Sequence, residues 1–446
     1  MIHYLRILKD IFTLYVCQER KNVYSNKQKE EHVHMQMSYT PFGLSKTAAW
    51  PILAGLLFLS GLTLTAAEEF AFKYRVGDKY RILSQVDEEV YVNGRYSHQA
   101  DILNRISVEI KDAENGKGLL EGQFSTSETR SGQVSVYEMN RSYFSRFWRD
   151  ARGRYDIDPS YYMPVVRDVP TFPEDSVESG DSWEAAGEEV HDLRNGYGIP
   201  APLSFPFRAK YRYLGKAEYN NKEYDLISVQ YTVRHRTSNY FRQFPLYPVR
   251  ITGFSDQQVY WDQEVGRPHA YTEQFSMIFS LSNGDQYEFT GTARAEVIES
   301  IPMDREKIAE EVEKRLREDG VKDTRVKVDE RGVTLDLENI QFAPDSTELL
   351  QGEQQKLNRI AEILRKYSDR DLLITGHTAL AGTQAGRQQL SQQRARVVGN
   401  YLLNRGIREP EQIIIQGKGA QEPIADNSTP EGMRRNRRVE ITILEN

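Results

Sequence analysis

From Glu68 to about Ser300, hydrophobic and polar residues alternate with period two, the spacing of a half-buried β-strand. In YDLISVQYTV, Ile227, Val229, Tyr231 and Val233 fall on one face, and Ser228, Gln230 and Thr232 on the other. Asn-Gly pairs at Asn93-Gly94, Asn115-Gly116 and Asn283-Gly284 sit between such runs. They predict hairpins, because a type I′ turn needs positive φ at both central residues. The stretch from Tyr143 to Phe207 is richer in proline and aromatics and breaks the alternation. It reads either as a divider between two β lobes or as one long crossing loop. Outer-membrane barrel strands also alternate, but FRAKYRYLGKAEYNNKEYD places charges at both parities, which a lipid-facing band does not tolerate. A soluble periplasmic β region over 68–300 is the expectation.

The period changes at Met303. In DREKIAEEVEKRLREDG, Ile308, Val312 and Leu316 stand four apart, with Asp304 as N-cap and Gly320 as the stop. RVKVDERGVTLDLENIQF then alternates as a hairpin turning near Arg331-Gly332. Beyond it the pattern reads βαβαβ. Leu357, Ile360, Ala361 and Leu364 form a helical stripe, and LLIT at 372–375 a short buried strand. Gln384 to Arg405 is a helix ended by Gly406, IIIQ at 413–416 a strand, and RRVEITIL a strand turning Val439, Ile441 and Ile443 inward. The predicted fold class is α+β and multidomain. An antiparallel β-rich N-terminal region is followed by a C-terminal βαβαβ domain with helices packed on a mixed sheet. The expected divisions are 1–67, 68–300, 301–332 (helical linker and start of the hairpin) and 333–446.

The first division is a targeting segment. Lys46 precedes an apolar run of about 15 residues from Trp50 to Leu64, followed by Thr65, Ala66 and Ala67. That is the charged, apolar, small-residue order of a secretory signal peptide, and the run is short of the roughly 20 residues a spanning helix needs. Residues 1–34 are foreign to such a signal and point to Met35 or Met37 as the start. Cys17, the single cysteine of 446 residues, then drops out, and no intramolecular disulfide or cysteine metal cluster can form. No cysteine follows the apolar run, which excludes lipid anchoring there. The formal net charge of -7 excludes nucleic acid as a partner on electrostatic grounds. Tyrosine outnumbers phenylalanine, 26 to 18, as expected of wet β surfaces.

IQFAPDSTEL, LLITGHT, LSQQRARVVGNYLLNRGI and IIIQGKGAQEPIADNSTPEGMRRNRRVEI resemble the OmpA-like C-terminal domain, also found in peptidoglycan-associated lipoproteins and flagellar stator proteins. The resemblance covers Val333 to Leu444, and the Gly-His-Thr-Ala-Leu-Ala-Gly variant is similar to OmpA-like proteins of spirochaetes. It implies non-covalent binding of the peptide stem of peptidoglycan. In the family, an aspartate after Gly-His-Thr takes the ammonium of the stem's diamino acid, and an arginine of the LS-x-x-R-A helix takes its carboxylate. Arg394 matches that arginine. The aspartate position is Ala379, and a usual asparagine before the LS pair corresponds to Arg387. The site implied by resemblance is Arg394, Arg387, Thr378, His377 and Phe342, with the family position altered at Ala379.

A zwitterionic ligand end needs one donor cluster and one acceptor. Arginine offers a bidentate fork to carboxylate, whereas Ala379 offers an ammonium nothing. Arg387 and Arg394 are two helical turns apart and share a face, which favours carboxylate and repels amine. His377 lacks a His or Cys partner at ligand spacing and reads as a turn or packing residue, not a metal ligand. Phe342 reads as core or as the groove rim. In RRNRR, at 434–438, the resemblance implies at least one arginine paired internally. No G-x-S-x-G, H-E-x-x-H or phosphate-loop pattern is present, so no cofactor, metal or catalytic residue is assigned.

The expected protein is an exported, non-catalytic envelope component in the periplasm, associated with the cell wall or outer membrane. It tethers or scaffolds at the peptidoglycan layer, with weakened or altered stem-peptide binding. Two alternatives stay open: a docking module for envelope proteins that no longer binds wall, and a wall-modifying enzyme targeted by this domain. A flagellar stator is disfavoured, because the single apolar span looks cleavable. N-terminal sequencing of the exported protein is expected to begin at about Glu68, and a start upstream of Trp50 overturns the signal peptide.

Overall fold

The computed structural model describes residues 67–130, 136–299, 303–338 and 349–445. The leader with Cys17, Met35 and Met37 lies outside them, as does Phe342.

The N-terminal part is one antiparallel ladder. Its long strands are β1 (Lys79–Val92), β2 (Arg95–Glu114), β3 (Lys117–Arg130), β4 (Tyr137–Asp150), β7 (Ser182–His191), β8 (Leu203–Tyr219), β9 (Lys222–Arg236), β10 (Pro248–Asp262), β11 (Arg267–Leu281) and β12 (Gln286–Glu299). Two short strands, β5 (Tyr155–Ile157) and β6 (Val166–Arg167), pair with β4 and β7. The spatial order is β5-β4-β3-β2-β1-β12-β11-β10-β9-β8-β7-β6.

Local chemistry sets the register. Asn93-Gly94 and Asn115-Gly116 both adopt positive φ and close two-residue hairpins, as the spacing predicts. Gly284, at φ 93°, closes the β11–β12 turn. Asn220-Asn221 makes a further two-residue turn with both φ positive, the β8–β9 hairpin that a search for Asn-Gly misses. Ile227, Val229, Tyr231 and Val233 are all buried, so the alternation of β9 points to the core as expected.

The ladder curls around one aromatic core. Ile106 of β2, Leu120 of β3, Phe205 of β8, Trp261 of β10, Phe275 and Phe279 of β11 and Phe289 of β12 belong to one buried cluster. Trp261 meets Phe72 edge-on at 4.9 Å and Phe172 at 4.7 Å. Such aromatic pairs add about 0.5–1.5 kcal/mol each beyond area burial. The segment from Ala151 to Asp181 crosses from the β4 edge to the β7 edge. It ties the two edges together through Arg152, whose Nε and Nη2 donate to Phe172 O at 3.0 and 2.9 Å, and through Tyr155 N–H donating to Asp168 Oδ1 at 2.7 Å. The outward positions of β8 include exposed Arg208, Lys210 and Arg212. This inverts the apolar-out pattern of a membrane-spanning barrel. No helix among the described residues is long and apolar enough to cross a membrane.

Helix α1 (Arg305–Glu318) follows, with the Asp304 side chain accepting from Lys307 N–H and Gly320 at φ 64° beyond its end. Val312 and Leu316 bury the predicted stripe. The C-terminal sheet runs β13 (Thr324–Asp329), β14 (Gly332–Glu338), β17 (Arg438–Leu444), β15 (Leu372–Gly376), β16 (Ile413–Gly417). Only β15–β16 is parallel, so the sheet is mixed. Helices α2 (Gln351–Leu364), α3 (Gln384–Asn404) and α4 (Pro430–Asn436) lie between the strands in sequence. Val333, Leu335, Ile374, Ile415, Val439 and Ile441 form a second core with Leu357, Ile360 and Leu402 of the helices.

The two sheets join. Ile414 and Ile415 of β16 pair in parallel with Tyr137 and Glu138 at the start of β4. Val136, just before β4, is buried in the C-terminal core rather than the aromatic one. Arg105 of β2, itself buried, donates through Nε to Asp371 Oδ2 at 2.8 Å and through Nη2 to Glu411 O. Arg81 stands 3.7 Å from the same carboxylate, and Arg396 pairs with Glu138 at 2.8 Å. Asp371→Ala leaves two guanidiniums facing each other without their shared carboxylate. Urea unfolding followed by circular dichroism is expected to show a loss of about 3 kcal/mol, the scale for breaking a buried pair; an unchanged midpoint contradicts the role of this junction.

Candidate functional site

The parallel strands β15 and β16 end side by side at Gly376 and Gly417, and α3 packs across both ends. Glycine is required there. A Cβ on Gly376 would stand 2.0 Å from Ser391 O, and one on Gly417 2.6 Å from Gln392 N. The helix is pinned to the loop after β16 by its polar side chains. Gln392 Oε1 accepts from Gly417 N–H at 2.6 Å, Ser391 Oγ from Gly419 N–H at 2.9 Å, and Gln388 Nε2 donates to Gly417 O at 2.7 Å. Thr383 caps the helix by accepting from Gly386 N–H. The LSQQRA stretch is therefore a spacer that fixes Arg394 one turn beyond Ser391.

Arg394 is half-buried. Burial first, and then the neighbouring charge of Arg437, lowers its pKa below the ordinary arginine value. Arg437 is also half-buried and, among the described residues, makes no ion pair with a carboxylate.

The loop after β15 faces this pair from the adjoining strand. His377 is buried, its N–H donating to Arg438 O at 3.0 Å, and its Nε2 stands 3.6 Å from Glu440 Oε2, beyond hydrogen-bond range. Thr378 N–H donates to Gly419 O at 2.8 Å, while its buried Oγ1 has no partner among the described residues. Ala379 is also buried, 5% exposed, in a turn closed by Ala381 N–H donating to Ala379 O. Leu380 N–H donates to Asn427 Oδ1 at 3.0 Å, and buried Asn436 holds that asparagine through Nδ2 at the same distance.

The expected residues are thus distributed unevenly. Thr378, Ala379 and His377 share one loop, and Arg394 lies on the helix beside it. Arg387 sits two turns earlier on α3, where its Nη1 donates to Gly382 O at 2.6 Å and its Cβ packs against Gly419. It closes the loop leading into the helix. Phe342 lies outside the described residues. The RRNRR run is not one basic patch. Arg438 is buried and paired with Glu440 at 2.8 Å, Arg434 pairs with Glu431 and Arg435 with Glu338. That leaves Arg437, which sequence reasoning missed because four neighbouring arginines look alike until the strand start at Arg438 sorts them. Asn436 was missed too; its only signal was its place just before the strand.

Beneath the loop lies a buried ionic cluster. Arg438 binds Glu440 Oε1 through Nε and Nη2 at 3.0 and 2.8 Å and stands 3.6 Å from Asp336, which Lys327 reaches at 2.5 Å. Burial alone would raise the Glu440 carboxyl, but His377 and Arg438 outweigh it and hold it at about 2.

Residues 341–437 match the model of the OmpA family. The C-terminal part is 39% identical over 104 residues to the peptidoglycan-binding protein ArfA of Mycobacterium tuberculosis, covering 23% of this chain and 32% of that one. It is 40% identical over 103 residues to outer membrane protein A of Bordetella avium, covering 23% of this chain and 53% of that one. The chain thus spans about half or less of these relatives' lengths. A solved outer membrane protein from Borrelia burgdorferi B31 aligns at 36% identity over 27% of this chain and 96% of its own, with a TM-score of 0.23.

A carboxyl depressed in the folded state contributes stability that is complete above its unfolded pKa and is lost as pH falls through the folded one. For Glu440 that window runs from about 4.5 down to about 2. Wild type is expected to lose on the order of 3 kcal/mol across it, and Glu440→Gln to lose clearly less. Urea midpoints at pH 6, 4 and 2.5 give the measurement; parallel curves for the two proteins contradict the role of this carboxyl.

Proposed function

We propose, on the premise that residues 341–437 carry an OmpA family domain, that the chain is a non-catalytic envelope protein. It tethers or scaffolds at the peptidoglycan layer and contacts the wall with a clamp that has kept one half. The single observation behind this reading is the asymmetry at the mouth of β15. Arg394 and Arg437 converge, half-buried, while the loop position to which the resemblance assigns the ammonium-binding aspartate carries a buried methyl, Ala379. The guanidiniums can take the carboxylate of a stem-peptide diamino acid. The ammonium meets no acid in the Gly-His-Thr loop. Loss of one charge-assisted hydrogen bond costs about 1.5–3 kcal/mol, so stem-peptide affinity is weak. The envelope setting, periplasmic and associated with cell wall or outer membrane, follows from the same premise and from the names borne by the relatives.

One observation favours a second reading. Leu380 and Leu390, on the loop and helix flanking the site, are 56% and 38% exposed. Two exposed leucines beside a weakened clamp fit a surface that docks an envelope protein instead of wall.

Ala379→Asp supplies the missing acceptor. Calorimetric titration of a diamino-acid stem peptide is expected to show weak binding to wild type and a gain of about 1–3 kcal/mol in Ala379→Asp. Because Ala379 is buried, the new carboxylate loses hydration, which places the gain toward the low end. Arg394→Ala in that background cancels it, and Arg387→Asn is the companion change that restores the family residue before the LS pair. Tight wild-type binding that Ala379→Asp leaves unchanged overturns the clamp. Failure of wild type to sediment with purified sacculi supports the docking reading.

A further inference from the structure

The β-rich part contains a cavity unrelated to the OmpA family site. It has a volume of about 130 Å³ and lies between the inner face of the sheet and the crossing segment. Ile82, Ile106, Leu120, Phe124, Phe147 and Val166 make its wall predominantly apolar. A cavity of about 150 Å³ holds one benzene, so this one has room for about five or six non-hydrogen atoms, the size of a short alkyl chain.

Two arginines line this apolar space, Arg149 of β4 and Arg267 at the start of β11. Guanidiniums drawn from water are normally matched by carboxylates. These are matched by aromatic rings. Arg149 lies 3.9 Å over the Phe72 ring and also within 6 Å of the Tyr74 and Tyr155 rings. Arg267 lies 4.4 Å over Tyr80. Tyr80 lines the same cavity as both arginines. Cation–π contact steadies a guanidinium but leaves its N–H forks unused. Arg149 donates through Nε to Tyr74 Oη at 3.0 Å and makes no ion pair with a carboxylate, and Arg267 makes neither side-chain hydrogen bond nor ion pair, among the described residues. The one acid on the wall, Glu296, is engaged by Tyr219 at 3.4 Å, Asn220 at 3.3 Å and His269 at 3.6 Å.

An apolar slot lined by two guanidiniums that no carboxylate pairs with among the described residues has the chemistry of a receptor for a single-chain anionic amphiphile. We propose that the β-rich part binds such a molecule, its alkyl chain in the cavity and its carboxylate or phosphate head on Arg149 and Arg267.

The experiment titrates hexanoate, hexyl phosphate, hexanol and hexyltrimethylammonium into the chain beginning at Glu68. At least one of the two anions is expected to bind at least tenfold more tightly than hexanol and the cation, and the stronger anion identifies the head group. Arg267→Gln is expected to weaken that anion about tenfold, and Leu120→Trp, which fills the slot, to abolish binding. Arg149→Gln should act as Arg267→Gln does if its near-ultraviolet circular dichroism matches wild type; if it does not fold, Arg267→Gln carries the test alone. Equal binding of all four amphiphiles, binding unaffected by Leu120→Trp, or no binding of either anion overturns the proposal.

Discussion

The cluster of buried Asp336, Arg438, Glu440 and His377, joined from the surface by Lys327, is the constraint on which the C-terminal domain depends. Arg438 and Glu440 stand on one face of the central strand, two residues apart, while Val439 and Ile441 face the apolar core on the other. A charge placed there has no water to return to, so each buried member must find its counter-charge within the sheet. The 2.8 Å Arg438–Glu440 contact meets that demand. Its consequence reaches the surface, because Arg438 also receives His377 N–H on its carbonyl and thereby fixes where the Gly-His-Thr loop leaves β15.

Close approach is the second constraint. Gly376 and Gly417 let α3 lie on the ends of two parallel strands, and Ser391 and Gln392 then stitch the helix to the neighbouring loop. Arg394 follows from that geometry, since its place on α3 is set by residues that never meet a ligand. Arg437 arrives from the other side, one residue before β17. In the function proposed above, the cationic half of the clamp is built by packing, and the anionic half hangs on the identity of one loop residue, Ala379. A binding function on such a scaffold can weaken by a single substitution without cost to the fold.

The junction between the sheets ties this domain to the β-rich part. Asp371 lies just before β15 and takes Arg105 from β2, while β16 takes the start of β4 as a partner. An edge strand that would otherwise present unpaired N–H and C=O groups is covered at two residue pairs.

Much of the layout was legible in sequence. Period-two alternation marks β9 and its buried face, Asn-Gly marks two hairpin tips, and the four-residue stripe of Ile308, Val312 and Leu316 with Asp304 ahead marks α1. These signals are local: a turn's φ, a cap's hydrogen bond and a strand's two faces act within a few residues. What the sequence could not supply was who meets whom. Arg387 and Arg394 share a helix face by spacing, yet one folds back onto Gly382 O and the other meets Arg437, forty-odd positions away in the chain. Arg149 and Arg267 carry no pattern at all until the curl of the sheet brings β4 and β11 around one cavity. Ion pairing, desolvation and cavity shape depend on distance in space, and for these residues that distance is decided by sheet closure and long-range register. The sequence by itself marked many of the elements, their faces and the resemblance to the OmpA family; the tertiary structure alone decided which charges meet within the fold.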